Sequence, residues 1–232
     1  MAAAFECVNL SKSFGSVRAL ENVNIQLQPG RVVGLLGPNG SGKTTLIKLA
    51  NGLLTPSEGQ ILIYGQRPGP ATKALVSYLP DKLHLPEWMS AEQLINMYAD
   101  FYADFDREKA GEMLARLDLS SRKKLSQMSK GTKEKVQLIL TMSRKAKLYL
   151  LDEPIGGVDP ATRDYILDTI IRNYDPDAVV MISTHLISDV ENVLDEVIFV
   201  NQGKILLQSG VDEIREKHGK SVDALFREVF KC

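Results

Sequence analysis

The stretch Gly37-Pro-Asn-Gly-Ser-Gly-Lys-Thr-Thr45 decides how this chain is read. It fits the pattern G-x-x-x-x-G-K-[ST] at every fixed position, with Gly37, Gly42, Lys43 and Thr44. An apolar run, Arg31 to Gly37, leads in and reads as a buried strand, and a helical run, Thr44 to Ala50, leads out. Phosphate binding requires that order. Glycines let Asn39, Gly40, Ser41 and Gly42 curl into a nest of N–H groups, and the new helix at Lys43, Thr44 and Thr45 adds its positive end. Lys43 then reaches the β- and γ-phosphates, and the Thr44 hydroxyl ligates Mg²⁺. The alternative, a glycine-rich turn carrying a surface lysine, does not account for pattern and context together.

Bulk composition narrows the class. The chain has 232 residues, 44% of them hydrophobic and 25% charged, with a net charge of −1. That is ample for a packed core and gives no polyelectrolyte signature of a nucleic-acid partner. Two cysteines, Cys7 and Cys232, form no disulfide framework, which fits a reducing compartment. The start, Met1 to Cys7, lacks a basic segment and an apolar core, so no signal peptide is expected. No run approaches the roughly 18 apolar residues of a membrane span.

Outward from the phosphate loop, strands are expected at Phe5–Leu10, Val17–Leu27, Gln60–Tyr64 and Ala74–Leu79. From Ser90 to about Lys147 the pattern is helical. Ser90 and Gln93 make a capping box, Asp106 caps Arg107–Leu117, and Ser129 caps a helix with Val136, Ile139, Leu140 and Ser143 on one stripe. Strand signals resume at Lys147–Leu151, Ala178–Ile182 and Glu196–Val200, with Asp159-Pro160 opening a helix between the first two. A hairpin turn at Asn201-Gln-Gly203 leads into Lys204–Leu207, and two short helices, Val211–Lys217 and Ser221–Phe230, finish the chain. An all-helical insert of roughly 60 residues is too long for a connection, so an α/β core with a helical lobe is expected. The basic clusters Arg122–Lys124 and Arg144–Lys147 read as solvated faces, and His84 and His218 as surface residues.

Two further segments carry chemistry. Leu148 to Glu153 is an apolar strand ending in adjacent carboxylates. After a phosphate loop, Asp152 is expected to hold Mg²⁺ through water or Thr44. Glu153, turned toward the γ-phosphate at the strand end, would polarise the attacking water. His185 follows the strand Val179–Thr184, where open α/β sheets bind ligand, and would donate to the γ-phosphate.

Together these residues resemble the ATP-binding cassette (ABC) family over almost the whole chain, with Walker A at 37–45, Walker B at 148–153 and a switch histidine at 185. The resemblance implies a P-loop NTPase (RecA-like) core with an N-terminal antiparallel β-subdomain and an inserted α-helical signature subdomain. The single domain would divide into core segments 1–81 and 148–232 and a helical subdomain at 82–147. It implies ATP with Mg²⁺, Phe14 stacking on adenine against the alternative of core packing, and Val17 flanking the ribose. The family's LSGGQ signature would fall at Met128-Ser129-Lys130-Gly131-Thr132 rather than in the register of Leu125-Ser126-Gln127, which lacks the glycine. Ser129 and Gly131 are kept, while Lys130 and Thr132 depart. The Q-loop glutamine is replaced by Asp81, a carboxylate still able to ligate Mg²⁺ or accept from the water, or else merely capping its loop. The D-loop reads Gly156-Gly-Val-Asp159 and keeps its aspartate.

The resemblance further implies a head-to-tail pair with a second ABC ATPase chain, identical or not, in which Ser129, Lys130, Gly131, Thr132 and Asp159 act in trans. Integral membrane permease subunits would dock near Leu83, Leu85, Trp88 and Met89, unless Trp88 packs inside the lobe instead. The protein would be cytoplasmic, peripheral on the inner face of the membrane. The short C-terminal segment ending Val222–Phe230 resembles small exporter-type cassettes (antibiotic or peptide efflux). Two rivals stand beside this reading: a soluble non-transport ABC ATPase, disfavoured by the near-zero charge, and a catalytically weak regulatory half of a heterodimeric transporter, favoured by the altered signature.

Overall fold

The computed structural model describes residues 3–230; the readings of Met1, Ala2 and Cys232 lie outside the described residues. The chain opens with β1 (Phe5–Phe14), β2 (Val17–Leu27) and β3 (Arg31–Leu36), followed by α1 (Lys43–Ala50), β4 (Glu58–Ile63), the single-turn α2 (Pro70–Lys73) and β5 (Val76–Leu79). Three helices come next: α3 (Ala91–Phe101), α4 (Arg107–Arg116) and α5 (Lys130–Met142). Then come β6 (Leu148–Asp152), α6 (Pro160–Asn173), β7 (Val179–Thr184), α7 (Ile187–Val190), β8 (Glu196–Asn201), β9 (Lys204–Gly210), α8 (Val211–His218) and α9 (Val222–Phe230). No helix among the described residues is long and apolar enough to cross a membrane.

The central sheet runs β5-β6-β7-β3-β8-β9, parallel throughout except for β9. Its inner strands β6, β7, β3 and β8 are apolar on both faces, as strands covered on both sides must be, while the edge strand β9 is partly exposed. Alternation sorts the side chains. Val32 and Leu36 of β3, Tyr149 and Leu151 of β6 and Val180 and Ile182 of β7 join the core beneath the helices. Their neighbours Val33 and Leu35, Leu148 and Leu150, and Val179 and Met181 join a second core beneath α1 and the antiparallel sheet β2-β1-β4. β1 runs longer than the sequence suggests because it is bulged. Its register against β2 shifts between Cys7 and Leu10, and Asn9 sits at φ 48°, so the alternation breaks while the pairing continues. Cys7 itself is buried, and burial pushes its thiol far above the usual range.

Beyond their shared core, the two sheets are hydrogen-bonded at the tip of the β8–β9 hairpin. Gly203, in the β8–β9 turn, donates to the Ser41 carbonyl at 2.8 Å and accepts from the Glu21 amide at 2.9 Å. Phosphate loop, β2 and hairpin are thereby hydrogen-bonded through one residue.

The helices between β5 and β6 start as their caps dictate. The Ser90 hydroxyl accepts from the Gln93 amide while Gln93 Oε1 accepts from the Ser90 amide, Asp106 accepts from the Lys109 amide, and Ser129 from the Thr132 amide. Arg144 corrects the expectation of a solvated basic cluster. It is 2% exposed and donates to both Asp104 oxygens at 3.0 Å or slightly more, and to the carbonyls of Ala74 at 2.9 Å and Val76 at 2.6 Å. Its guanidinium also lies 3.8 Å from the Tyr102 ring centroid. Arg144 therefore fastens the end of α5 to the edge of the sheet and to the α3–α4 connection. Arg122, Lys123 and Lys124 are exposed, as expected. Replacing Arg144 with Ala leaves those carbonyls and Asp104 without their donor. Unfolding by urea should show a loss on the order of 3 kcal/mol, and Arg144→Lys should recover less than half because an ammonium cannot reproduce the fork.

Candidate functional site

The phosphate loop crosses from the C-terminal end of β3 to α1, between β7 and β8, where strands lie on either side of β3. Two of its glycines are required by close approach. A Cβ on Gly37 would stand 2.2 Å from the Val200 carbonyl oxygen, and Gly42 sits at φ 113° with the Ala19 carbonyl 2.7 Å from any added Cβ. A cleft of about 580 Å³ opens over the loop. Asn39, Gly40, Ser41, Gly42, Lys43, Thr44 and Thr45 line it, with Ala19, Asp81, Lys130, Glu153, Gly156, Gly157 and His185.

Lys43 is buried and folded onto its own loop, donating to the carbonyls of Gly37 at 2.7 Å and Pro38 at 3.2 Å. Burial lowers its pKa, and the Glu153 carboxylate at 3.6 Å works in the opposite direction. The ammonium is thus paired with protein oxygens at the floor of the cleft.

Asp152 ends β6 opposite Ser183 of β7 in register. Its Oδ1 accepts from Ser183 Oγ at 2.6 Å and from Thr44 Oγ1 at 3.2 Å, while its Oδ2 is buried with no partner. A buried carboxylate oxygen left free beside a threonine hydroxyl suits a hard cation. No cluster of three His, Cys, Asp or Glu side chains suited to a metal occurs among the described residues. Mg²⁺ keeps several waters and phosphate oxygens as ligands, so a donor set this sparse fits it.

Glu153 shows how adjacent carboxylates at a strand end come to face different surroundings. It takes φ 49°, a left-handed conformation uncommon for a residue with a side chain, and the turn is held by its amide donating to the Ser183 carbonyl at 3.0 Å. The carboxylate then faces the cleft instead of the opposite side of the sheet. Its oxygens lie 3.1 and 3.2 Å from His185 Nδ1. In the neutral tautomer that donates from Nδ1, His185 Nε2 is an acceptor; donation from both nitrogens requires imidazolium. Asp81 is exposed on the cleft wall, and its charge, with that of Glu153, adds to the burial that raises the Asp152 pKa.

Other expected residues stand apart. Phe14 is 46% exposed, which rules out core packing, and Lys12 Nζ sits 5.1 Å from its ring centroid. Phe14 pairs with Val17 in register, and Val17 shares a strand face with Ala19, so the β1–β2 tip continues the Ala19 wall of the cleft. Ser129, Gly131, Thr132 and Asp159 do not line it. Ser129 Oγ also pairs with Thr132 Oγ1 at 2.8 Å, and Asp159 caps α6 by accepting from the Thr162 amide and hydroxyl, which lower its pKa. Lys130, expected to act only across an interface, extends to the rim of its own chain's cleft. Trp88 is 69% exposed and does not pack inside the lobe. Met89 is only 8% exposed and belongs to the core, which corrects its place in the proposed docking surface. Leu83 and Leu85 are half-buried. The sequence reading missed Ser183 and Ala19. Ser183 had a signal, a polar residue ending an apolar strand just before His185; Ala19 had none.

A family model described as ABC transporter matches residues 20–156. An uncharacterized ABC transporter ATP-binding protein, YxlF of Bacillus subtilis (strain 168), is 32% identical over 222 residues, covering 94% of this chain and 74% of YxlF. The SkfA peptide export ATP-binding protein SkfE of the same organism is 31% identical over 215 residues, 90% of each chain. A solved structure described as the ATP binding subunit of an ABC transporter superposes with a TM-score of 0.88 at 29% identity, covering 98% of this chain and 99% of the other.

The raised pKa of Asp152 has a consequence for stability. Burial disfavours its carboxylate, so the folded-state value lies above the unfolded one of about 3.9. The ionised group therefore lowers the stability of the nucleotide-free protein at neutral pH, and the penalty is relieved as the pH falls through the carboxylate range. Asp152→Asn keeps an acceptor for Ser183 and Thr44 without the charge. By calorimetry at pH 7 without metal, its midpoint should rise by a few degrees; an unchanged or lower midpoint would contradict the assignment.

Proposed function

The chain belongs to the ABC transporter ATP-binding family, and on that premise we propose that it powers a separately encoded membrane permease, working in the export direction, from a cytoplasmic position on the inner face of the membrane. As a family member it is the ATP-binding subunit of a transporter and hydrolyses ATP. The observation that carries the mechanistic reading is the turned Glu153, held toward the cleft between His185 and Lys43.

In this reading the loop amides of Asn39 to Thr45 and the start of α1 cradle the phosphates. Lys43 exchanges the Gly37 and Pro38 carbonyls for β- and γ-phosphate oxygens, which relieves the penalty of its burial. Thr44, Asp152 and, across the cleft, Asp81 would hold Mg²⁺, which when bound neutralises phosphate charge. Glu153 takes the proton of the attacking water, and His185, oriented through Nδ1, donates to the γ-phosphate from Nε2 in its imidazolium form. Phe14 and Val17 carry the base and ribose. Ser129, Gly131 and Thr132 at the exposed N-terminus of α5, with Lys130 and Asp159, close the site of a second ABC ATPase chain. Export is supported by the similarity to SkfE, described as a peptide export ATP-binding protein. Permease docking is assigned to the exposed Trp88 with Leu83 and Leu85.

Glu153→Gln should cut ATP turnover by at least ~100-fold while ATP binding persists. On size exclusion with ATP the variant should run as a dimer if this signature closes on its own Walker A, and as a monomer if a different chain is required. Wild-type turnover in the variant would remove Glu153 as the base. Separately, the tagged protein should co-purify from membranes with an integral permease, and Trp88→Ala should reduce the yield several-fold. A stable complex with soluble partners alone would overturn the transport reading.

A further inference from the structure

Helix α5 reaches toward the site from behind through one buried amide. Gln137 is 7% exposed, and its Nε2 donates to the Pro80 carbonyl at 3.2 Å. That contact fixes the orientation of the amide, because the flipped form would set two oxygens against each other. Gln137 Oε1 is then left buried with no partner. It lines a cavity of about 40 Å³ shared with Asp81, Glu134, Asp152 and Glu153, and the Asp152 Oδ2 that also lacks a partner belongs to that same wall. Among the side chains lining this cavity, only Gln137 carries donors at neutral pH; one of its two N–H groups is engaged with Pro80, and neither reaches Asp152 Oδ2, which has no partner. Two residues lining one small cavity therefore each carry a buried acceptor that no protein donor serves. A water has two O–H donors, and roughly 10–15 Å³ suffices to hold one.

We propose that in the nucleotide- and metal-free protein this cavity holds a resident water donating to Gln137 Oε1 and Asp152 Oδ2, and that Gln137 is a positioning residue that sets the Pro80–Asp81 loop and the Asp152 carboxylate for hydrolysis. A second contact from the same face of α5 supports the first. Lys133, one turn earlier, pairs with Glu87 at 2.6 Å, so the segment from Pro80 to Glu87 is strapped along α5 at both ends. A slip of α5 along this strap would move Asp81 and the water together. The inference rests on the cleft at Gly37–Thr45 being the nucleotide site.

The test pairs a crystal structure of the nucleotide-free protein, at a resolution that shows ordered water, with kinetics of Gln137→Leu, which fills the volume without either polar group. A water bridging Gln137 and Asp152 is expected; a dry cavity overturns the proposal. In Gln137→Leu, kcat should fall roughly ten-fold with the KM for ATP within about two-fold, and hydrogen exchange at residues 81–87 should rise. A merely structural amide would lower the melting midpoint and leave kcat per folded molecule and that exchange unchanged, and this outcome also overturns it. If the Leu variant does not fold, Gln137→Met replaces it. Protection of residues 37–45 by ATP in the wild-type exchange reports the nucleotide site independently, so failure of that reading is seen separately from failure of the Gln137 role.

Discussion

One buried carboxylate organises the site. Asp152 accepts hydroxyls from Thr44 at the start of α1 and from Ser183 on β7, so three neighbouring segments at the C-terminal edge of the sheet are bonded to a single oxygen. The same Ser183 accepts the Glu153 amide through its carbonyl and holds the left-handed turn there. The placement of the next acid follows from the fixing of the first. A carboxylate kept this far from water is unfavourable, and in the proposed reading its polarity is offset by a cation and phosphate.

The helical lobe is joined to this edge by side chains rather than by continuous sheet. Arg144 ties the far end of α5 to the carbonyls of Ala74 and Val76, while Lys133 in its first turn and Gln137 at its middle tie it to the loop after β5. The two groups of contacts differ in kind. Arg144 is buried and multiply bonded, so it acts as a fixed joint. Gln137 makes a single bond and Lys133 pairs with the exposed Glu87, so the end of α5 that carries Ser129 and Lys130 is the more easily displaced.

Much of this was legible in the sequence, for identifiable reasons. The phosphate loop, the Ser90, Asp106, Ser129 and Asp159 caps and the apolar strands depend on contiguous residues, and local patterns report local structure. Arg144 was misread because its neighbours Lys145 and Lys147 are basic, whereas its partners lie far back in the chain, at Ala74, Val76 and Asp104. Met89 was placed on the surface with Trp88 because nothing in a short run says which of two adjacent apolar side chains turns inward. The helices α2 and α7 span four residues each, too few to show a period. Glu153 could be assigned to the cleft only by supposing that the strand end turns; the φ angle that does it has no sequence signature.

The tip of the β8–β9 hairpin gives a last consequence. Hairpin tips are ordinarily where chains lengthen without penalty. Here Gly203 serves the Ser41 carbonyl with its amide and the Glu21 amide with its carbonyl, and Ala19, two residues before Glu21, walls the cleft. The turn is therefore a spacer of set length between two sides of the cleft. An extra residue at this tip would leave the phosphate-loop pattern intact letter for letter and still change the width of the cleft. For this fold, an unaltered motif is no guarantee of an unaltered site, and the gap that matters is set by a turn far from the motif in sequence.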